Sequence, residues 1–480
     1  MRIPERGLSE TNVFETLERY RAGDTDWRSG RTWGYVFDGG KEIEAVGKRA
    51  YMAFLSENAL DPTIYPSLLR LENEVVGMAL DHLRAPEGAQ GNFTSGGTES
   101  IVLAVKAARD AFLSQHPGKL PEMVLPITAH AAFHKAAHYL GVAARVVDVD
   151  PISFRADVDK MRAAVGPNTA LIVGSAASYA HGVVDPIREL GALALEHGVP
   201  FHVDGCIGGF VLGYLRKLSE PVPEFDFSVP GVTSMSMDLH KYAFCPKGAS
   251  VVLFRDKSLR RHMIFACSSW TGYTMVNTTV QSTKSGGPLA AAWAVMNFVG
   301  ESGYLDMTRR MIDGARQLVA GIRAIPELRI LGEPDMTLIA CASDRLSVFA
   351  LADEMKERGW YIQPQLGFSG GPSNFHLSLQ LSNVPRVPDF LRDLAAAVAR
   401  VKELPKSDVG ESVGAAFREV DPNTLTPEMF SQRLGMAGIA GVGLPKRSAE
   451  INEILSQLSP AFRERLLTEF VNELFSATRG

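Results

Sequence analysis

Between residues 86 and 290, six short apolar runs alternate with stretches of helical period: EMVLPITA, ARVVDVD, ALIVGSA, PFHVDGC, TSMSMD and ASVVLF. Each run is too short for a helix core, and each gives way to turn residues or to a helix-like pattern. A strand buried on both faces reads as a near-continuous apolar run. Its regular alternation with helices predicts a parallel or mostly parallel sheet with helices on both faces, an α/β domain.

The flanks read differently. Residues 1–85 form an N-terminal helical segment; in LLRLENEVVGMALDHL, Leu68, Leu71, Val75, Val76, Met78 and Leu80 recur close to the helical period. After about residue 290 the order becomes helix, strands and helix, which predicts a smaller C-terminal α+β domain. KSDVGESVGAAFREVDPNTLTPEMF reads as a polar, turn-rich connection, and the end carries Ile451, Ile454, Leu455, Leu458, Leu466, Phe470 and Leu474 at helical spacing. The expected division is 1–85, 86–290 and 291–480.

Composition narrows the function classes. At 480 residues and 46% hydrophobic, the chain can bury a large core without disulfide or metal support. A net charge of -5 without a basic stripe argues against nucleic acid as a partner. Cys206, Cys245, Cys267 and Cys341 are widely spaced with no CxxC pair, so neither a disulfide framework nor a zinc site is expected. The first residues lack the apolar run of a signal peptide, and no apolar stretch is long enough to span a membrane, so the expectation is a cytoplasmic globular protein.

Three motifs carry chemistry. In Asn92-Phe93-Thr94-Ser95-Gly96-Gly97-Thr98-Glu99-Ser100, two glycines precede a helical run. The free N–H groups of a helix start can bind a phosphate there, although Ser95 or Thr98 acting as a plain helix cap is an equally local reading. Phe201-His202-Val203-Asp204 is a buried strand ending in an acid, at the end of a parallel strand that faces ligands. Asp204 can pair with a protonated heterocyclic nitrogen or cap the next helix. In Ser234-Met235-Ser236-Met237-Asp238-Leu239-His240-Lys241, Lys241 is either an amine nucleophile at the sheet end or a surface lysine. Together, and in this order, the three meet the needs of pyridoxal 5'-phosphate. That cofactor requires an imine-forming lysine, an acid at its ring nitrogen and an anion site for its phosphate.

With TSGGTES, AHAAFHKAAHYLG, HGVVDP, HVDGCIGGF, TSMSMDLHKYAFCPKG and TTVQSTKSGG, the chain resembles the group II pyridoxal-phosphate-dependent decarboxylases. Within them it is most similar to the lyases of phosphorylated sphingoid bases, and the likeness extends through the GMAG stretch to the last helices. The resemblance implies a type I aminotransferase-like fold and a homodimer with active sites at the subunit interface. It makes Lys241 the cofactor-linking lysine, Asp204 its ring-nitrogen partner and His130 the imidazole that stacks on the ring. Gly97, Thr98 and His240 match contacts to the cofactor phosphate, and Ser282 and Thr283 a loop reaching that phosphate from the partner subunit. Lys247 and Tyr35 match groups near the substrate. His181 and Asp185 of HGVVDP either shape the pocket or hold a turn.

Two stretches depart from the lyases. Asn58-Ala59-Leu60-Asp61 stands where they carry Asn-Pro-Leu-His, putting an acid where an imidazole helps to bind an anion. Lys284-Ser285 replaces Arg-Pro, which removes a bidentate fork but keeps a cation. The expected activity is cleavage of the Cα–Cβ bond of a phosphorylated long-chain sphingoid base, a small-molecule lipid phosphate, to a fatty aldehyde and phosphoethanolamine. The alternatives are an amino-acid decarboxylase using the same cofactor and, remotely, a catalytically silent binding protein.

Overall fold

The computed structural model describes residues 2–405, 409–417, 420–421, 429, 432 and 448–475. All six apolar runs contain strands: β2 (Glu122–Pro126), β3 (Ala143–Val147), β4 (Thr169–Ser175), β5 (Phe201–Asp204), β6 (Ser234–Met237) and β7 (Ser250–Phe254). They are preceded by β1 (Gln90–Thr94), which the apolar pattern misses because Gln-Gly-Asn-Phe-Thr holds a single large apolar side chain. β1 is an edge strand whose place is set by pairing with β7, with Asn92 opposite Val252.

The seven strands form one sheet in the order β1-β7-β6-β5-β4-β2-β3. β3, β2, β4, β5 and β6 run parallel, and β7 is antiparallel to both β6 and β1. This is the α/β, type I aminotransferase-like fold with a mostly parallel central sheet. β2, β4, β5, β6 and β7 are buried throughout, which is why each reads as an unbroken apolar run.

The helix Gly97–Gln115 is clamped to the sheet along two stripes. Ile101, Val105 and Ala108 pack with Met123, Leu125, Phe133, Leu171 and Val173, while Leu103 and Ala107 pack with Val252 and Phe254. Each large apolar side chain buried there contributes about 1.5–3 kcal/mol. The packing fixes where the start of this helix, at Gly97, meets the carboxyl ends of the central strands.

The described residues fall into two compact units, Met1–Thr32 with Ala342–Phe375 and Asp389–Gly480, and Trp33–Cys341 with His376–Pro388. These bounds differ from the threefold division read from the sequence. The boundary drawn at 290 falls inside the helix Gly286–Arg323, which bends at Gly300 (φ 62°). A change of local pattern there marks a new kind of element, not the end of a core.

A second difference concerns the polar stretch read as a connection. Val409–Phe417 within it is a helix. Val413 and Phe417, one turn apart, pack against Leu458, just past the helix Ser448–Gln457, and Phe462 of the helix Pro460–Leu474. That tertiary contact outweighs the polar local composition. The GMAG stretch at 435–438 lies outside the described residues. Among the described residues, no helix is long and apolar enough to cross a membrane.

Candidate active site

The carboxyl ends of three neighbouring parallel strands place the central polar groups. Cross-strand register sets Ser175 of β4 level with Asp204 of β5, and Asp204 level with Ser236 of β6. Asp204 is buried, and its Oδ1 accepts from the Cys206 N–H (3.0 Å) and the Ser236 hydroxyl (3.3 Å). These donors fix the carboxylate so that it faces a cavity of about 370 Å³. Behind it, His202 meets Ser234 through Nδ1 (2.9 Å) and Ser236 through Nε2 (3.2 Å). Burial lowers the pKa of His202 to about 4, so this imidazole is neutral at pH 7.

The same cavity is lined by Gly97, Thr98, His130, His240 and Lys241, so six of the residues singled out from the sequence, counting Asp204, converge on it. The helix Gly97–Gln115 starts without a side-chain cap, which removes the reading of Ser95 or Thr98 as a cap. Its first intrahelical bond runs from the Ser100 N–H to Gly96 O (3.1 Å), so the Gly97 and Thr98 amides remain for an anion at the positive end of the helix. Gly97 is required by close approach: a Cβ there would stand 2.8 Å from Asp238 Oδ2 and Cys206 Sγ. His130 caps the helix Ala131–Leu140, its Nδ1 accepting from the Ala132 N–H at 3.2 Å.

Lys241 carries the reactive nitrogen. Its Nζ lies 2.9 Å from Asp238 Oδ2, a residue the motif reading passed over although it stands three positions before the lysine. Burial works against the ammonium, but the charge of Asp238 and its hydrogen bond with Nζ, with the Asp204 charge adding to them, raise the pKa of Lys241 overall. Burial likewise opposes the Asp238 carboxylate, and Lys241 and His240 reverse that, leaving it below the usual range. His240 Nε2 lies 3.7 Å from the same Asp238 oxygen, while among the described residues its Nδ1 is buried without a hydrogen bond, and a Cβ at Gly96 of the phosphate loop would stand 3.6 Å from its Cε1. A buried nitrogen lacking a partner beside two open amides fits a cofactor phosphate. With Lys241 and Asp204 facing the same cavity, the residues present fit pyridoxal phosphate.

Lys247 and Tyr35, expected near the substrate, meet each other but are not among the residues lining the Lys241 cavity: Lys247 Nζ donates to Tyr35 O (3.1 Å) and stands 5.2 Å from the centre of the Phe37 ring. Local burial and the nearby Lys241 charge lower the pKa of Lys247. Tyr35 is 64% exposed and sits at φ 63°. Tyr179, also passed over in the sequence, lines the cavity and stacks on His376 at 4.3 Å; burial raises its hydroxyl pKa to about 12. It follows β4 at a strand end where ligands gather, which is the signal that could have found it.

Other expected residues stand elsewhere. Asp185 is fully buried and accepts from the Ala156 and Ser175 N–H groups (2.8 Å each), and His181 stacks on Phe154 at 4.2 Å. Both hold the turn after β4, where Gly182 (φ 70°) lies against Leu338 O. Asp61 is exposed and accepts from the Thr63 N–H and hydroxyl, which lower its pKa. Lys284 Nζ is 3.5 Å from Glu72, and Ser282 lines a second cavity with those two residues. Ser282 and Thr283 are not among the residues lining their own Lys241 cavity.

The family model described as the pyridoxal-dependent decarboxylase conserved domain matches residues 3–342, and one for a C-terminal helix-turn-helix domain of pyridoxal-dependent enzymes matches residues 411–473. The chain is 43% identical to the sphingosine-1-phosphate lyase of Arabidopsis thaliana over 84% of this chain and 74% of that protein. It is 36% identical to sphingosine-1-phosphate lyase 1 of Rattus norvegicus, over 87% and 74%. A solved Burkholderia pseudomallei sphingosine-1-phosphate lyase superimposes with a TM-score of 0.80 at 36% identity, covering 84% of this chain and 93% of that one. The chain therefore belongs to the pyridoxal-dependent decarboxylase family and, within it, to the sphingosine-1-phosphate lyases.

Proposed function

We propose that this chain is a pyridoxal-phosphate-dependent carbon–carbon lyase that splits the Cα–Cβ bond of a phosphorylated long-chain sphingoid base. The 3-hydroxyl loses its proton, Cβ leaves as a fatty aldehyde, and Cα takes up a proton to give phosphoethanolamine. The observation that carries the reading is the convergence of Lys241, Asp204 and the uncapped helix start at Gly97 on one cavity, in a chain 43% identical to such a lyase.

When bound, pyridoxal phosphate supplies an electron sink for charge that develops at Cα. Asp204, held by Cys206 and Ser236, keeps a proton on the ring nitrogen. The Gly97 and Thr98 amides and His240 would hold the phosphate, with His130 at the ring. Lys241 would anchor the cofactor through its amine and carry the proton returned to Cα. Lys247 and Tyr35, in contact with each other, bind the substrate end.

The proposal includes a homodimer in which Ser282 and Thr283 reach the partner's cofactor phosphate. Supporting it, both lie outside the group lining their own Lys241 cavity. The test is incubation of purified, cofactor-loaded protein with a phosphorylated sphingoid base and with a panel of amino acids, assaying aldehyde and carbon dioxide separately. Aldehyde from the base is expected; carbon dioxide from an amino acid without aldehyde overturns the reading.

A further inference from the structure

Glu99 is a charged side chain only 9% exposed, at the third position of the helix Gly97–Gln115. A carboxylate withdrawn from water needs donors, and Glu99 finds three backbone N–H groups in two different loops. Its Oε2 accepts from Ser95 at 2.7 Å, in the loop that leads to Gly97 and Thr98. Its Oε1 accepts from Val280 at 2.8 Å and Gln281 at 3.3 Å, at the near end of the loop that carries Ser282 and Thr283.

The far end of that loop is anchored separately. Asn58 Oδ1 accepts from the Lys284 N–H (3.1 Å), the Ala59 N–H donates to Lys284 O (2.8 Å), and the Ser285 hydroxyl donates to Leu55 O (3.0 Å). Ser282 and Thr283 stand between the two anchors, half-buried and exposed respectively. The Ser95 amide is taken by Glu99, which leaves the phosphate to Gly97 and Thr98.

We propose that Glu99 is a positioning residue that ties a subunit's own phosphate loop to the loop the same subunit gives to its partner. The inference rests on the dimer reading above. One carboxylate then acts on two sites, through Ser95 on its own and through Val280 and Gln281 on the partner's.

Heterodimers of differently tagged chains separate the two actions. In the first, one chain carries both Glu99→Gln and Lys241→Ala and the other is wild type, so the one competent site depends on a loop from the altered chain. In the second, Glu99→Gln and Lys241→Ala sit on opposite chains, so the competent site has an altered phosphate loop and an unaltered donated loop. The reference is a Lys241→Ala and wild-type heterodimer. Cofactor dissociation is read from the absorbance of the lysine-linked cofactor, and amide hydrogen exchange is measured at Val280 and Gln281. The expected result is about tenfold weaker cofactor binding in both, the scale of one charge-assisted hydrogen bond. Val280 and Gln281 should also exchange faster while β4 and β5 amides stay protected. Normal affinity in the first heterodimer, or unchanged exchange at Val280 and Gln281, overturns the clamp. A monomer by light scattering overturns the dimer reading itself. If Glu99→Gln chains do not fold, Glu99→Asp, one methylene too short to span both loops, takes their place.

Discussion

Lys241 Nζ and Asp238 Oδ2 form an ion pair 2.9 Å long in which Asp238 is buried and the lysine side chain keeps 22% of its surface. Lys241 has its pKa raised from 10.5 and Asp238 its pKa lowered from 3.8, so each stabilises the charge of the other. The lysine part of this stability is full below pH 10.5 and is lost as pH rises through its folded value. The aspartate part is full above pH 3.8 and is lost as pH falls through its own.

Asp238→Asn removes one charge and leaves the other half-buried. We expect the cofactor-free protein to lose about 3 kcal/mol at pH 7, the low end for breaking such a pair because Lys241 still reaches water. Urea unfolding measures it, and a loss below about 0.5 kcal/mol would show that the pair does not stabilise the fold.

Lys241→Ala should abolish turnover together with the borohydride-reducible cofactor linkage, since among the described residues no other lysine lines the cavity. Mass spectrometry after reduction checks the linkage. A reduced adduct at another lysine, with normal turnover, removes the assignment.

Asp204→Ala should release cofactor and lower kcat, by at least about tenfold if a charge-assisted contact to the ring nitrogen is lost. Ser236→Ala, which takes away only the 3.3 Å hydroxyl donor, should have a smaller effect in the same direction. Equal cofactor retention by Asp204→Ala and wild type would refute the ring-nitrogen role.

Four histidines are neutral because burial lowers their pKa, His82, His181 and His202 to about 4 and His376 to about 3. Below pH 6.5 the unfolded chain binds protons that the folded chain refuses, so stability falls as pH drops from 6.5 toward 4. Asp185, raised by burial to about 6, works the other way, its cost being relieved as pH falls below 6. The net expectation is a loss on the order of several kcal/mol between pH 6.5 and 4, smaller in His82→Gln. Urea midpoints across that range decide it; a flat profile counts against buried neutral imidazoles.

Lys247→Ala should raise KM for the phosphorylated base about tenfold or more, with less effect on an unphosphorylated one, as expected for a charge that meets a phosphate. Asp61→His should lower the same KM more than it alters kcat. That exchange also carries a local cost, because Asp61 caps the turn at Thr63. If Lys247→Ala changes both substrates equally, the lysine serves something other than the phosphate.

The central strands are legible in local pattern, because burial on both faces leaves an unbroken apolar run that needs no partner to be read. Local pattern also singled out Gly97, Asp204 and Lys241, which the fold brings to one cavity from a helix start, a strand end and the turn after β6. Features that depend on contacts between distant segments leave no such local mark. β1 is a strand because it pairs with β7, and Val409–Phe417 is a helix because Val413 and Phe417 meet Leu458 and Phe462. Asp238 matters through a 2.9 Å approach to Lys241, and Glu99 through amides some 180 residues further along the chain. Asp185, which the sequence left open between shaping the pocket and holding a turn, faces inward and binds backbone N–H groups. A carboxylate's role follows from which donors surround it, and those donors come from strands and loops that only folding brings together.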